Sequence, residues 1–251
     1  MKNTDYSKIA ETYNKSKTRH YIQPDPNISE LIYKKKYRRV LDIGCGTGNY
    51  LLKQKAYFKN KADIQWFGIE PSEAMFSVLS ESVKDQDITT KQAAAEAIPF
   101  EDDYFDYVIC NHSYHHFVDK EKAFQEIYRV LKRGGRYYIN TIHPYEMKKS
   151  WVYQFFPSVY EEDILRFYPE EKLFQTLEAT GFETRVEKRV FTYRKSMLLI
   201  QEEAALRNYS QLHLISDANY QEGLQAMEAY MKSNKTLLIE HAKLYPLSYK
   251  D

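Results

Sequence analysis

The chain has 251 residues, and its 36 lysine and arginine residues nearly balance its 35 aspartate and glutamate residues. A net charge of +1 argues against a nucleic-acid partner, because such proteins carry a clear basic excess. Two cysteines, Cys45 and Cys110, do not make a disulfide framework, and no stretch approaches the roughly 18 apolar residues of a membrane span. We therefore expect one cytoplasmic α/β domain with no membrane segment.

The first part of the chain alternates predicted helices and strands. Hydrophobic spacing and helix-capping patterns separate the two types, with Asn27 as the expected cap of the second helix and Gly134-Gly135 as the stop of the fifth. Strands joined by helical crossovers are typical of a parallel sheet with helices on both faces. The predicted helices are 5–17, 27–37, one from 49, 71–83 and 119–132, and the predicted strands are 40–43, 64–69, 88–92, 106–110 and 136–141.

After residue 142 the pattern changes. Residues 144–168 are aromatic and irregular, and a helix is predicted over 169–180, closed by Gly181. A strand at 182–193, a helical stretch at 197–232 with a break near 208–220, and a final strand from 236 to 241 or a little beyond complete the chain. The long insertion between two strands is expected to cap the edge of the sheet.

A glycine-rich turn joins the first predicted core strand to its helix. Gly44, Gly46 and Gly48 permit positive φ angles and a close approach of the backbone to a ligand at the helix N-terminus. A dinucleotide site would place its third glycine at position 49, which is Asn49. Asp42, just before the turn, fits poorly beside a pyrophosphate but well beside a cofactor that carries an amine and a sulfonium.

A second acidic residue marks the end of the next strand. Glu70 closes that strand 22 residues beyond Gly48. A carboxylate at this position can accept both hydrogen bonds from a ribose 2′,3′-diol. The turn and the carboxylate together predict a nucleoside-binding site, without deciding between cofactor classes.

Four sequence blocks occur in register with one family. The chain resembles the class I S-adenosylmethionine-dependent methyltransferases, in particular the small-molecule branch that includes ubiquinone and menaquinone biosynthesis enzymes. The resemblance implies a Rossmann-like, seven-stranded, mostly parallel sheet with helices on both faces and a helical, aromatic cap near the C-terminal strands. The blocks are Val40–Asn49, Phe67–Met75, Ala94–Phe100 followed by Phe105–Phe117, and Val130–Tyr138.

The resemblance also implies a division of the chain. Residues 1–38 would form an N-terminal helical lid, and residues 39–143 would form the cofactor-binding core. Residues 144–251 would hold the substrate cap together with the final helix and antiparallel strands of the same domain. The family implies S-adenosylmethionine as cofactor, a small-molecule methyl acceptor as partner, and a monomer or homodimer.

Individual positions take roles from the same resemblance. The glycine turn would line the methionine and ribose of the cofactor, Glu70 would hold the ribose hydroxyls, and Asn111 would offer its carbonyl to the methionine ammonium. Ala94 departs from the family, which often has an acid there, so adenine recognition falls to backbone or Glu96. The implied cofactor-binding positions are Tyr13, Arg19, Asp42, Gly44, Cys45, Gly46, Gly48, Glu70, Pro71, Met75, Ala95, Glu96 and Asn111.

The acceptor side is less defined by the sequence. Methyl transfer from a sulfonium is an in-line displacement, and a base is needed only if the acceptor loses a proton. His143 or His115 is the candidate base, and the alternative is that both are hydrogen-bonding residues of their loops. An anionic acceptor group could face Tyr193, Arg194 or Arg207. The candidate pocket residues are Tyr114, Tyr145, Trp151 and Tyr153, although these aromatic residues could equally be the core of the cap.

Other functions remain open at this point. The basic run at 34–39 would favour an RNA acceptor, and a protein acceptor or a non-catalytic S-adenosylmethionine-binding protein would share the same cofactor residues. Asn49 and Asp42 argue against a nicotinamide-dependent oxidoreductase. His115 and His116 are adjacent and would point apart, so we expect no metal site.

Overall fold

One mixed sheet forms the centre of the molecule. The structure, a computed structural model, describes residues 4–10, 12–15, 22–34, 39–59, 64–207 and 209–251. Its strands are β1 (Arg39–Ile43), β2 (Gln65–Glu70), β3 (Ile88–Gln92), β4 (Phe105–Asn111), β5 (Leu131–Ile142), β6 (Phe182–Ser196) and β7 (Thr236–Lys250).

The strand order is β3-β2-β1-β4-β5-β7-β6. Strands β1 to β5 pair in parallel, whereas β7 runs antiparallel to both β5 and β6. The predicted seven-stranded, mostly parallel α/β sheet is therefore confirmed. In such a sheet, ligands bind outside the carboxyl ends of the strands, near the point where the strand order reverses. Here β1 and β4 are the neighbouring strands at that point.

Helices cover both faces of this sheet. Alternate residues of β4 point to opposite sides, so Tyr107 and Ile109 pack with α1 to α3, and Val108 and Cys110 pack with α4 and the cap. The helices are α1 (Pro26–Lys34), α2 (Asn49–Phe58), α3 (Glu73–Val83), α4 (Lys120–Val130), α5 (Trp151–Phe155), α6 (Ser158–Asp163), α7 (Glu170–Thr180), α8 (Met197–Ala205) and α9 (Asp217–Met231).

The N-terminal segment differs from its prediction. A helix over 5–17 is wrong for the described residues, which form two short 3-10 turns at Tyr6–Lys8 and Tyr13–Lys15. Local side-chain bonds favour turns over a helix: the Asp5 carboxylate accepts from the backbone N–H of Ser7, and the Thr12 hydroxyl donates to the carbonyl of Ile9. We call residues 4–15 the N-terminal strap, with residue 11 outside the description.

Helix α1 begins one residue earlier than predicted, and its capping residue is Asp25 rather than Asn27. One carboxylate oxygen of Asp25 accepts from the backbone N–H of Asn27 at 2.8 Å. The other accepts from the buried hydroxyls of Tyr50 at 2.6 Å and Tyr107 at 3.1 Å. The cap therefore also ties the start of α1 to α2 and to the sheet. The end of the predicted helix, residues 35–37, lies outside the described residues.

Helix α4 ends before the glycine pair that was predicted to stop it. Its last residue is Val130, and β5 starts at once because Leu131 pairs with Phe105. Gly134 and Gly135 lie inside β5, where the register with β4 shifts between Phe105 and Tyr107. The prediction was therefore wrong about the stop, because pairing with β4 rather than a glycine cap ends the helix.

The C-terminal part follows the predicted order with longer strands. The break in the helical stretch falls between α8, which ends at Ala205, and α9, which begins at Asp217, and the left-handed Gly181 closes α7 as predicted. The final strand extends to Lys250 because β6 pairs with it along its whole length. Among the described residues, no helix is both long and apolar enough to cross a bilayer.

Candidate functional site

The glycine turn after β1 uses left-handed backbone conformations that only glycine adopts readily. Gly44, Gly46 and Gly48 have φ angles of 66°, 56° and 84°. A Cβ atom at Gly44 would lie 2.6 Å from Ser113, and one at Gly48 would lie 2.6 Å from Leu79. At Gly46 a Cβ atom would meet no described atom within 4 Å. The first and last glycines therefore serve packing, while the middle one borders open space.

Glu70 connects the end of β2 to this turn. Its carboxylate accepts from the backbone N–H of Gly46 and of Ser72, both at 2.9 Å. The residue is 6% exposed, and burial raises the pKa of its carboxyl, whereas the two backbone hydrogen bonds lower it. The predicted neighbourhood of turn and carboxylate is thus present in the structure.

Asp42 lies beside them with an unsatisfied oxygen. It is 2% exposed, and its Oδ1 has no hydrogen-bond partner among the described residues. Burial, followed by the nearby charges of Glu70 and Asp25, raises the pKa of Asp42 well above its usual range. Because a buried polar atom without a partner is costly, this oxygen fits a ligand that brings a donor or a positive charge.

The N-terminal strap covers the turn. The Oδ1 atom of Asn14 accepts from the hydroxyl of Thr47 and the amide of Asn49, both at 2.7 Å. Further along the strap, Ile9 and Ala10 are buried against Met75 of α3. Tyr13 packs beside this cluster, while Arg19 lies outside the described residues.

The remaining predicted cofactor positions have different surroundings. Pro71 is exposed, whereas Ala95 is buried in the core cluster that also contains residues of β2 and α4. Glu96 accepts from the backbone N–H of Val118 at 2.7 Å and of Asp119 at 3.1 Å, so its carboxylate faces the start of α4. A role for these three positions in adenine binding stays a prediction.

The loop after β4 lies against the glycine turn. The hydroxyl of Ser113 donates to the carbonyl of Ile43 at 2.6 Å and contacts the Sγ atom of Cys110 at 2.9 Å. The Asn111 side chain accepts from the amide of Asn140 at 2.7 Å, which joins the ends of β4 and β5. Cys45 and Cys110 are both buried thiols, and burial raises the pKa of each.

Two histidines of this loop have distinct environments. His115 stacks on Phe167 with 4.6 Å between ring centroids, and burial lowers its pKa well below the usual range. His116 contacts the hydroxyl of Tyr6 through Nε2 at 2.8 Å and Arg166 through Nδ1 at 3.3 Å. Burial, with the charges of Arg166 and Lys120, lowers the pKa of His116 to about 3.

The tautomer of His116 follows from these contacts. A guanidinium donates only, so Nδ1 of the neutral ring accepts from Arg166. Nε2 then carries the proton and donates to Tyr6. Arg166 is 1% exposed and pairs with Asp163, whose other oxygen accepts from the hydroxyl of Tyr153.

His143, the other candidate base, lies where β5 meets the cap. It is 5% exposed, its Nε2 is 3.1 Å from a Glu170 carboxylate oxygen of α7, and its Nδ1 has no partner among the described residues. No group of three or more histidine, cysteine, aspartate or glutamate side chains suited to a metal occurs in the described part of the chain.

The predicted pocket aromatics are mostly interior residues. Trp151 packs edge-on against Phe156 and Tyr209, and Tyr153 binds Asp163, so both belong to the core of the cap. Tyr114 is 1% exposed, whereas Tyr145 is 59% exposed. Arg194 is exposed and Arg207 pairs with the exposed Asp217, and a role for either at an acceptor stays a prediction.

Several site residues have no signal in the sequence. Tyr6 and Arg166 meet His116 over 110 and 50 residues of chain, and Asn14 meets Thr47 over 33. Arg166 even resembles a surface residue, because an acid three positions earlier is common on exposed helices. Only the folded chain shows that this pair is buried.

The arrangement agrees with what comparison with known proteins shows. The model of a family described as "Methyltransferase domain" matches residues 41–139. The chain contains a methyltransferase domain. The matched segment runs from β1 into β5 and includes the glycine turn, Glu70 and the loop after β4.

Two curated relatives match this domain. The uncharacterized methyltransferase YcgJ of Bacillus subtilis is 33% identical over 140 residues, which cover 53% of this chain and 52% of that protein. The ubiquinone/menaquinone biosynthesis C-methyltransferase UbiE of Vibrio vulnificus is 37% identical over 103 residues, or 39% of each chain. The matches thus span about half or less of each relative, and the predicted resemblance is confirmed for the methyltransferase domain.

Solved structures extend the likeness in fold. The crystal structure of YcgJ superposes with a TM-score of 0.62 at 19% identity and covers 89% of this chain and 97% of its own. A phosphoethanolamine N-methyltransferase 2 of Haemonchus contortus, solved with S-adenosyl-L-methionine, superposes with a TM-score of 0.57 at 21% identity. This match covers 96% of this chain and 57% of that one. The fold is therefore that of the class I, Rossmann-like methyltransferases.

Proposed function

We propose that this chain is an S-adenosylmethionine-dependent methyltransferase that acts on a small-molecule acceptor by in-line transfer. The observation that supports it most is the bridge from Gly46 to Glu70 beside the unpaired Asp42 oxygen. These groups fit the cofactor, which brings ribose hydroxyl donors for the carboxylate and cationic groups for Asp42. When bound, S-adenosylmethionine supplies an electrophilic methyl group on a sulfonium.

The chain itself supplies binding and orientation. Glu70 accepts from the ribose hydroxyls, the open side of Gly46 admits the ligand, and the carbonyl of Asn111 accepts from the methionine ammonium. Asp42 orders the turn and offsets positive charge. Held by Asn14 and by the packing on Met75, the N-terminal strap excludes water from this region.

The acceptor would meet the methyl group beyond β4 and β5. Nε2 of His116 holds the hydroxyl of Tyr6 against the β4 loop. Where the acceptor must lose a proton, we propose His143 as the base before His115, because burial lowers the pKa of His115 and so its basicity.

Several coarser features support a small acceptor in the cytoplasm. The near-zero net charge disfavours an RNA acceptor, and the two cysteines are unpaired and buried, as suits a reducing compartment. We propose a monomer or homodimer with a lid at 1–38, a core at 39–143 and a cap within 144–251. Enclosure by this cap suits a small molecule better than a polymer.

Cofactor binding is tested by thermal shift. We expect S-adenosylmethionine and S-adenosylhomocysteine to raise the unfolding midpoint and NAD to leave it unchanged, with about 2.7 kcal/mol of stabilisation at 100 times Kd. Glu70→Ala should abolish the shift, because it removes the acceptor of the ribose hydroxyls. Glu81→Ala, at an exposed position of α3, is the matched control and should keep it.

Catalysis is tested separately with isotopically labelled S-adenosylmethionine and a library of small acceptors. Incorporation of label into a small molecule supports the enzyme. Binding of S-adenosylhomocysteine with no transfer to any acceptor would instead indicate a binding protein. An S-adenosylhomocysteine shift that survives Glu70→Ala would remove Glu70 from the site.

A further inference from the structure

Lys243 occupies an unusual place at the ligand-binding edge of the sheet. We propose that it binds an anionic group, a carboxylate or phosphate, of the methyl acceptor, an inference that rests on the proposed function. Lys243 of β7 pairs with Ile142, the last residue of β5. Its Nζ lies 3.3 Å from Nε2 of His112, the residue directly after β4. The ammonium thus stands at the carboxyl ends of both strands, where ligands of such sheets bind.

Lys243 lacks the carboxylate partner that other lysines of β5, β6 and β7 have. Lys132 pairs with Asp106 and Lys250 with Asp103, each at 2.8 Å, and Lys188 lies 3.7 Å from Glu146. Among the described residues no carboxylate pairs with Lys243, and its ammonium contacts the imidazole of His112. The lysine is nevertheless half-buried, and burial lowers its pKa. An ammonium taken from water without a counterion is costly, and a bound anion would remove that cost.

The partner of Lys243 is itself held in a strained conformation. His112 has a φ of 57°, in the left-handed region that residues other than glycine seldom adopt. Its backbone N–H donates to the carbonyl of Asn140 at 2.9 Å, which fixes the loop against β5. Strain of this kind persists where the surrounding structure supports it, and it concentrates at ligand sites. Here it brings the ring to Lys243 immediately beyond Asn111.

The charged residues of β6 nearest Lys243 offset each other. Directly opposite on β6 is Arg189, whose guanidinium binds Glu187 through two hydrogen bonds of 2.6 and 2.8 Å. That pair neutralises the nearby carboxylate. His241, two residues before Lys243 on the same face, adds no negative charge. An anion is therefore the ligand that this group of side chains would attract.

The test uses small probes on protein saturated with S-adenosylhomocysteine. Benzoate and phenyl phosphate are titrated as the two anions and benzamide as the neutral analogue, with the unfolding midpoint as the readout. We expect at least one anion to raise the midpoint and benzamide to leave it unchanged. Whichever of the two anions binds more tightly shows whether the site prefers a carboxylate or a phosphate.

Variants connect the effect to the residue. Lys243→Met should weaken anion binding at least about tenfold, whereas Lys243→Arg should retain it within a few-fold. Lys188→Met is the matched control and should behave as wild type. Lys188 of β6 precedes Arg189, the residue opposite Lys243, and so points to the other face of the sheet. All three should keep the S-adenosylhomocysteine shift. If the wild-type protein shows no S-adenosylhomocysteine shift, the proposed function is wrong. If that shift is present but neither anion raises the midpoint, or if Lys243→Met binds the anions as tightly as wild type, the anion site at Lys243 is wrong and the proposed function stands.

Discussion

Two glycines of the chain share a backbone conformation but differ in what lies next to them. Gly46 and Gly134 have φ angles of 56° and 73°, and a Cβ atom on either would meet no described atom within 4 Å. Alanine at each should therefore cost a similar backbone strain, roughly 1–2 kcal/mol in the free energy of unfolding by urea.

Only Gly46 borders the proposed cofactor. Gly46→Ala should weaken S-adenosylhomocysteine binding by at least about tenfold, because the new methyl group enters space that the ligand needs. Gly134→Ala is the control for strain and should leave the affinity, measured by calorimetry, at the wild-type value. Equal affinities of the two variants would show that the open side of Gly46 is not part of the site.

His116 predicts a pH dependence of stability with a definite sign. Its folded pKa of about 3 lies below the usual value of 6.5, so the unfolded chain takes up the proton first as the pH falls. The contribution of His116 to stability is complete above pH 6.5 and is lost progressively toward pH 3. His115 and His213, whose pKa values are also lowered by burial, act in the same direction.

Urea unfolding at pH 7 and pH 5 measures this effect. Between these pH values the raised pKa values of Asp42 and Glu70 act in the opposite direction, because the folded state then binds the proton first. Relative to pH 7, the wild-type protein should therefore lose more stability, or gain less, than His116→Gln, because glutamine does not titrate. Lys84→Met, at an exposed position of α3, should follow the wild-type slope. The same slope for His116→Gln and wild type would mean that the imidazole is protonated in the folded protein.

At the scale of helices and strands, the features that depend on residues close together in sequence were predictable. The turn from β1 to α2, the strand that ends at Glu70 and the Gly181 stop of α7 each depend on residues within a few positions of one another. The failures involve partners far along the chain. Leu131 became a strand residue because it pairs with Phe105, and β7 continued to Lys250 because β6 lies beside it.

The residues of the candidate site also divide into those that nearby sequence predicts and those that depend on distant partners. Gly46 and Glu70 were predictable because a strand–turn–helix pattern fixes where their elements end. The Tyr6–His116–Arg166 chain was not, because its three members come from the N-terminal strap, the β4 loop and the cap. Nothing in local sequence indicates that a tyrosine and an arginine will bond to opposite nitrogens of one imidazole.

For the whole molecule, the N-terminal strap joins regions that the sheet keeps apart. Thr4 donates to the carbonyl of Ser210 in the cap at 3.1 Å, Tyr6 meets the β4 loop, Ile9 packs on α3, and Asn14 binds the glycine turn. One short segment therefore contacts both the proposed cofactor region and the cap. Release of a bound nucleoside should require breaking these contacts.

Asn14 offers the most direct test, because one oxygen accepts two hydrogen bonds from the turn. Asn14→Ala removes both, each contributing about 1 kcal/mol, so dissociation of S-adenosylhomocysteine should accelerate on the order of tenfold or more. Ser7→Ala, in the same strap but at a hydroxyl that donates to Asp5 rather than to the turn, should release the ligand at the wild-type rate in stopped-flow measurements. If Asn14→Ala also releases the ligand at that rate, the strap does not control the exit.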